Sequence, residues 1–551
     1  MNINYIKYII IFIISSNSLQ CQSIENISTS RPFSVVGSIG LNLNSYSSSG
    51  IEARSRPFDY SLLGNLNIAI YGISVPLSAV YSEQDRSYTQ PFNHYGISPS
   101  YKWITLHLGW RNINFSPYTL SGQTFLGGGL EITPGILRFA VIYGRFNKAA
   151  SGDSASNLLY PPTYERLGYS FKLGLGSNST YVDFILLRAW DKLNSLDSIN
   201  QNTTKPQENL VLGIASKIQL LKELRFELDA SASLYTIDMR SNALLDSANT
   251  KILANFSSIF NLKLSTQLTT ALQSALVYSG KLFSAKISYK RIEPDYKSMG
   301  IYYTESDVEN YTASFVLPLF KRQFKLGGSI GFQKDNLMNT KLNTSNRVIG
   351  SANISYNTSN YGADFSFASY GITQTPGINP VIDSLKIAKV NQNFNLTLRY
   401  TFSNNSQIEN IILNSSYQSL TDLNTITQNN SNNLSINGTF QLSNAQTGIN
   451  YGITLNAVNA TWSNSSNTFL GPILNFSLPI NKININTSLG YQHSWINSQS
   501  SGGVITTGLS VIYQIEQHQN IKCDGNLIIS NTNNSNNFNE LRLSLGYIYN
   551  F

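Results

Sequence analysis

The sequence predicts an all-β fold, a single large antiparallel transmembrane β-barrel of about 26 strands (range about 24–28), with tight turns at one end and longer loops at the other. Three observations predict it. Side chains alternate with a period of two along nearly the whole chain, connections alternate between short and long, and charge is scarce while apolar content is ordinary. Of the 551 residues, 12% are charged and 41% hydrophobic, with 32 tyrosines and 27 phenylalanines. A soluble globular chain carries about 25% charged residues. The net charge of +8 forms no basic run, which leaves nucleic-acid binding without a footing.

The period of two begins near Phe33. Leu224, Phe226, Leu228, Ala230, Ala232 and Leu234 oppose Arg225, Glu227, Asp229, Ser231 and Ser233. Phe324, Leu326, Ile330 and Phe332 oppose Lys325, Gly327, Ser329 and Gly331, and Phe394, Leu396, Leu398, Tyr400 and Phe402 oppose Asn395, Thr397, Arg399 and Thr401. Ile483, Ile485, Thr487, Leu489 and Tyr491 oppose Asn484, Asn486, Ser488, Gly490 and Gln492. Such alternation describes strands with one apolar and one polar face.

The connections separate a barrel from a soluble sandwich, which has no reason to sort its loops by length. Tight turns are predicted near Gly72, Trp103, Pro134-Gly135, Ser177-Asn178, Leu221-Lys222, Gly280-Lys281, Lys321-Arg322, Thr358-Ser359, Asn404-Asn405, Asn444-Ala445, Ile480-Asn481 and Gln517-His518. Longer polar stretches lie between them, roughly at 43–58, 83–95, 112–124, 146–163, 191–208, 237–270, 290–308, 335–345, 372–390, 421–432, 458–466, 495–502 and 530–539. This order puts both ends of the wall on the short-turn side. Within 237–270, Ile252 to Leu264 reads as a further strand or an inserted helix. Trp110, Trp190 and Trp495 fall where strands run into long loops, with Trp462 inside one, as an interfacial aromatic belt requires.

The N-terminus reads as a secretory signal over residues 1–21, with Lys7 ahead of the apolar run Tyr8 to Ile14. That run is far shorter than the ~20 residues of a spanning helix. Ser18-Leu19-Gln20 fits a lipobox before Cys21 poorly, and if Cys21 leaves with the signal Cys523 stands alone. Residues 22–32 form a short segment ahead of a barrel over 33–551.

The terminal strand Leu541-Arg542-Leu543-Ser544-Leu545-Gly546-Tyr547-Ile548-Tyr549-Asn550-Phe551 carries the chain's closest likeness to known proteins. With the signal segment, it resembles the outer-membrane β-barrels of Gram-negative bacteria. The resemblance implies that Tyr547, Tyr549 and Phe551 serve as the mark read by the barrel-assembly machinery, with outer-membrane lipid around the wall. The short segment 22–32 departs from nutrient receptors that carry a folded plug ahead of the barrel.

A search for chemistry finds no phosphate loop, zinc spacing or dinucleotide fingerprint, so no cofactor, metal or catalytic centre is expected. Gly127-Gly128-Gly129 lies in a strand-like run and reads as close backbone packing. By parity His107 and Arg111 turn inward, as do Arg225, Glu227, Asp229, Lys325, Arg399 and Arg542. Facing lipid would cost a midplane Lys or Arg about 2–4 kcal/mol. These charges either set ion selectivity or form a lattice that stiffens the wall and holds an inserted loop. Two loops stand out, Asn114 to Leu120 and Arg291 to Ser298. Each is aromatic and turn-prone; each could constrict the lumen, although a solvated surface loop is the commoner outcome. The leading expectation is a non-enzymatic channel or export barrel whose polar lumen is narrowed by loops or a partner. The alternatives are a docking barrel of an envelope or secretion assembly with a periplasmic partner, and an outer-membrane hydrolase built on His107.

Overall fold

The computed structural model describes residues 33–551 except 71–72, 83–93, 152–161, 198–203, 244–259, 377–386, 405, 425, 427–428, 464 and 534–536. The predicted signal segment and residues 22–32 lie outside the described residues. The wall is one closed antiparallel barrel of 26 strands. It begins at Phe33–Ser49 and ends at Phe538–Asn550, and one strand is interrupted at Pro99 into His94–Ile97 and Ser100–Tyr101. Each strand pairs with its neighbours in sequence, and the last pairs with the first from Ser38↔Asn550 to Ser49↔Asn539. The backbone N–H of Phe551 adds a rung to Gly37 O at 2.9 Å. Closure leaves no unpaired edge, the condition for crossing lipid with strands.

The period of two becomes two faces. Leu106, Phe184, Leu212, Leu276, Phe315, Leu413, Leu474, Leu509 and Leu545 stand exposed on the outside. Such a continuous apolar surface marks a wall made for lipid rather than water. Among the largest fully buried side chains, Phe125, Phe146, Leu187, Val211 and Tyr296 gather on one inner arc instead.

Among the described residues the predicted tight turns fall between strands, as with Leu221 and Leu224, or Ile480 and Ile483, while Gly72 and Asn405 lie outside the described residues. Two predicted long loops are corrected. Trp462 pairs with Ser465, and Ile496 with Gln499, as the ends of adjacent strands. Asn497 and Ser498 hold φ values of 49° and 64°, the paired left-handed geometry of a two-residue hairpin. The polar residues read as loop are strand that continues where both faces meet water, so the apolar alternation fades while the ladder persists. Trp462 therefore ends a strand, and His94, assigned to a connection, begins one.

In the stretch 237–270, the predicted extra element at Ile252 to Leu264 falls partly outside the described residues. Its described end is no strand; a single bridge joins Lys263 to Ala243, and the next strand starts at Thr266. Phe260 and Leu262 instead cover Leu186, Leu210 and Leu234 on the outer wall.

Candidate functional site

The site is built from two loops that turn into the lumen. After the strand Ile104–Asn112 the chain does not leave the barrel. Phe115 N–H donates to Leu120 O at 2.9 Å, and Gly122 N–H donates to Asn114 Oδ1 at 2.8 Å, closing a compact loop. After the strand Ser284–Ile292, residues 293–301 fold in beside it. Leu120–Ser121 and Gly300–Ile301 then pair as a short parallel sheet inside the barrel. Both loops singled out in the sequence are infolded, and the surface-loop expectation is corrected for each. Each supplies part of the other's cover, with Tyr118 and Tyr296 in one buried cluster.

The wall under the loops is cut to hold them. Asn209, fully buried, donates to Ser233 Oγ at 2.8 Å and Leu234 O at 3.0 Å, and accepts the Met299 N–H at 3.0 Å. Ser233 Oγ donates to Lys297 O at 2.6 Å, and Ser298 Oγ donates to Thr119 O at 2.6 Å. Tyr296 donates to Tyr118 O at 2.5 Å and so receives its 2.6 Å bond from Ser231. Tyr118 donates to Gln273 Oε1 at 2.8 Å. Burial pushes both tyrosine phenols up, so each remains a donor across the physiological range. Ile113, Leu120 and Met299 pack against inward-facing Phe125, Ile142, Phe146, Leu187 and Val211. Apart from the buried Thr119 hydroxyl, the polar groups named here have partners, which is what lets a buried polar network hold a position. Small residues make the room. A Cβ on Gly300 would stand 2.4 Å from Thr119 O and 2.8 Å from Leu187 Cδ1, and one on Gly213 would stand 2.4 Å from Thr119 Cγ2.

The predicted inward charges serve this same arc. Arg225 pairs with Glu227 at 2.8 Å, and Lys286 approaches Glu227 at 3.7 Å from two strands away. Asp229 accepts a bond from Ser116 of the first infolded loop. Arg111 donates to Ile97 O at 3.1 Å and Ser78 Oγ at 3.3 Å. His107 lies between Ser98 Oγ, 2.8 Å from Nδ1, and Glu131 Oε1, 3.1 Å from Nε2. The remaining residues are not brought to this cluster. Lys325 and Arg399 stand near tight turns, while Arg542 lies over the Tyr46 ring at 5.6 Å near the opposite rim. The eight charges therefore make no ring across a pore. Sequence reasoning missed Ser98, Asn209 and Gln273, and gave Ser231 and Ser233 only as members of a polar face. The visible signal was only small and polar residues at inward parity.

Further pairs lace the same arc. Arg138 reaches Asp183 at 2.8 and 3.0 Å by passing over Gly174, where a Cβ would lie 2.0 Å from Asp183 Oδ1. Lys172 sits over the Phe115 ring at 4.7 Å. At the rim, Asp307 accepts the N–H groups of Asn336 at 3.0 Å and Leu337 at 2.8 Å, and pairs with Lys341. Burial pulls the Asp307 carboxyl up, and Lys341 with the two amides outweighs it, so the group titrates below its ordinary 3.8. A depressed carboxyl contributes stability above the ordinary range and loses it as pH falls through the lowered value. Hydrogen exchange at Asn336 and Leu337 should therefore stay slow at about pH 5 and accelerate only in stronger acid. Protection already failing at mild acidity would contradict this assignment.

An even-numbered closed wall, an apolar outside, sorted connections and a partly filled lumen define a β-barrel of the outer-membrane type. No family model matches the sequence, and no curated protein does. Among solved structures, the chain is similar to the translocation pore of the P pilus usher, at 9% identity over 94% of this chain and 99% of that one, with a TM-score of 0.39. It is similar to the unliganded ferric citrate transporter at 10% identity over 94% and 79%, with a TM-score of 0.37. The OccK9 protein of Pseudomonas aeruginosa matches at 10% identity over 63% and 92%, with a TM-score of 0.32.

Proposed function

We propose that this protein is a channel of the Gram-negative outer membrane, used for uptake or export, whose lumen is narrowed by its own two infolded loops. The observation that carries the reading is the short sheet between Leu120–Ser121 and Gly300–Ile301, latched to the wall through Asn209, Ser231 and Ser233. A barrel of this size encloses room for an aqueous channel, and an open hole of that width would breach the barrier. The loops occupy one arc. A recess of about 740 Å³ lies along the inner wall formed by the last strands, lined by groups such as Asn475, Ser488, Ser510 and Asn526. Passage runs between this wall and the latch.

Purified barrel in planar bilayers is expected to give steps well below those of an unobstructed pore of its strand number. Full-width conductance would reject the narrowing, and a silent bilayer would reject the channel.

One arrangement favours a second reading. Ser98, His107 and Glu131 stand in the order nucleophile, imidazole, carboxylate that hydrolases use, with the two ring nitrogens exchanged relative to the usual serine triad. Serine-directed fluorophosphonate should then label Ser98, with labelling lost in Ser98→Ala and His107→Ala. An unlabelled wild-type protein leaves the row as a structural relay between strands.

A further inference from the structure

The inner wall is divided by chemistry. Between Asp422 and Glu516 the chain carries no charged side chain except Lys482, in a tight turn. The inward parity of the strands in that span is rich in amides and hydroxyls, interrupted by Val458, Phe469, Ile473, Val504 and Ile512. Thr439 bonds Thr454 at 3.0 Å across two strands, and Asn437 bonds Ser435 at 3.3 Å along one. Asn475, Asn486 and Asn526 differ: among the described residues their side chains make no hydrogen bond to protein, and they face the recess. Two charges, Lys522 and Asp524, also line the recess, and they neutralise each other at 2.9 Å. Opposite stands the latched arc, with its charges committed to ion pairs, loop contacts or hydrogen bonds.

Each amide offers two donors and an acceptor, and each hydroxyl offers one donor and two acceptor positions. Spaced along parallel ladders, they match a solute that presents hydroxyls at short intervals and carries no charge. An ion finds only the mutually paired Lys522 and Asp524 there, and an apolar solute would strip water from the amides without replacing it. The geometry points to a neutral, polyhydroxylated chain, an oligosaccharide or polysaccharide strand, as the solute that moves along this wall. This inference rests on the channel reading and names its cargo class. Hydrogen bonds exchanged against water contribute little each, about 0.5–1.5 kcal/mol, so the contact slides rather than captures.

The test uses full-length barrel in planar bilayers with linear maltohexaose, and an anionic oligouronide of equal length as the contrast. Maltohexaose should interrupt the ion current, and the oligouronide should do so several times less often. The double variant Asn475→Leu, Asn486→Leu keeps side-chain size and removes the amides. It should lose most maltohexaose interruptions per unit of open time; Lys482→Gln, in a tight turn away from the recess, should keep them. Current without sugar interruptions in the wild type overturns the cargo class and leaves the channel standing. Interruptions equal for both oligomers, or unchanged in the double variant, also overturn it. Absence of any current overturns the channel reading itself. Heat-modifiable migration shows that each variant is folded.

Discussion

Gly300→Val is expected to raise single-channel conductance severalfold and make it noisy. The new Cβ would meet Thr119 O at 2.4 Å and Leu187 Cδ1 at 2.8 Å, and the branched methyls have no room beyond. Backbone cannot yield there without parting Leu120–Ser121 from Gly300–Ile301, and that pairing joins the two loops. Once parted, the Met299 N–H loses Asn209, and an unpaired buried donor costs about 1–3 kcal/mol. The loops then exchange their fixed place for a mobile one. Tyr296→Phe supplies the graded comparison, because it removes the bonds to Tyr118 and Ser231 and keeps the ring. Its conductance should rise little, with brief openings added. The wall carries its own ladder, so both variants should remain folded barrels. Equal conductance in wild type and Gly300→Val would show that the latch does not limit passage.

Deleting Phe551 should sharply lower the amount of folded barrel recovered from cells, while protein refolded in detergent keeps nearly its full thermal stability. Inside the finished barrel the residue contributes modestly. It gives one backbone rung to Gly37 and one ring contact, 4.6 Å between centroids with Tyr549, and it stays exposed on the lipid side. The seam it ends runs on through Ser49↔Asn539, so one rung is a small fraction of the closure. That difference between cells and detergent would mean that Phe551 acts before the barrel closes, as a mark for assembly. Phe551→Trp should restore yield if an aromatic terminus is what is read. Parallel losses in cells and in detergent would instead make Phe551 a stability element.

The wall was legible because lipid outside and water inside impose opposite demands on alternate residues. Leu224–Thr236 shows this best, with boundaries and faces evident in the alternation alone. The tight turns were legible through Asn, Gly, Pro and Lys between apolar runs. Legibility failed where both faces of a strand meet water, as on either side of Trp462–Ser465. It also failed for the latch, because loop burial depends on pairs far apart in sequence. Tyr296 accepts from Ser231 and donates to Tyr118, and no local pattern links those positions. His107 showed its inward direction by parity, but Ser98 reached it through the break at Pro99, which parity cannot count across.

The latch has a mechanical consequence. Its wall anchors, from Phe146 and Asn209 through Ser231, Ser233 and Gln273, lie on strands between residues 137 and 279. That arc is braced from within, whereas among the described residues the strands between 431 and 516 carry no comparable strut. A hoop stiffened along one arc bends along the other. Shape fluctuations of the cross-section therefore concentrate in the uncharged wall, and the aperture varies as a compliant jaw moves against a stationary one. Bore and flexibility are set on opposite sides of the same ring.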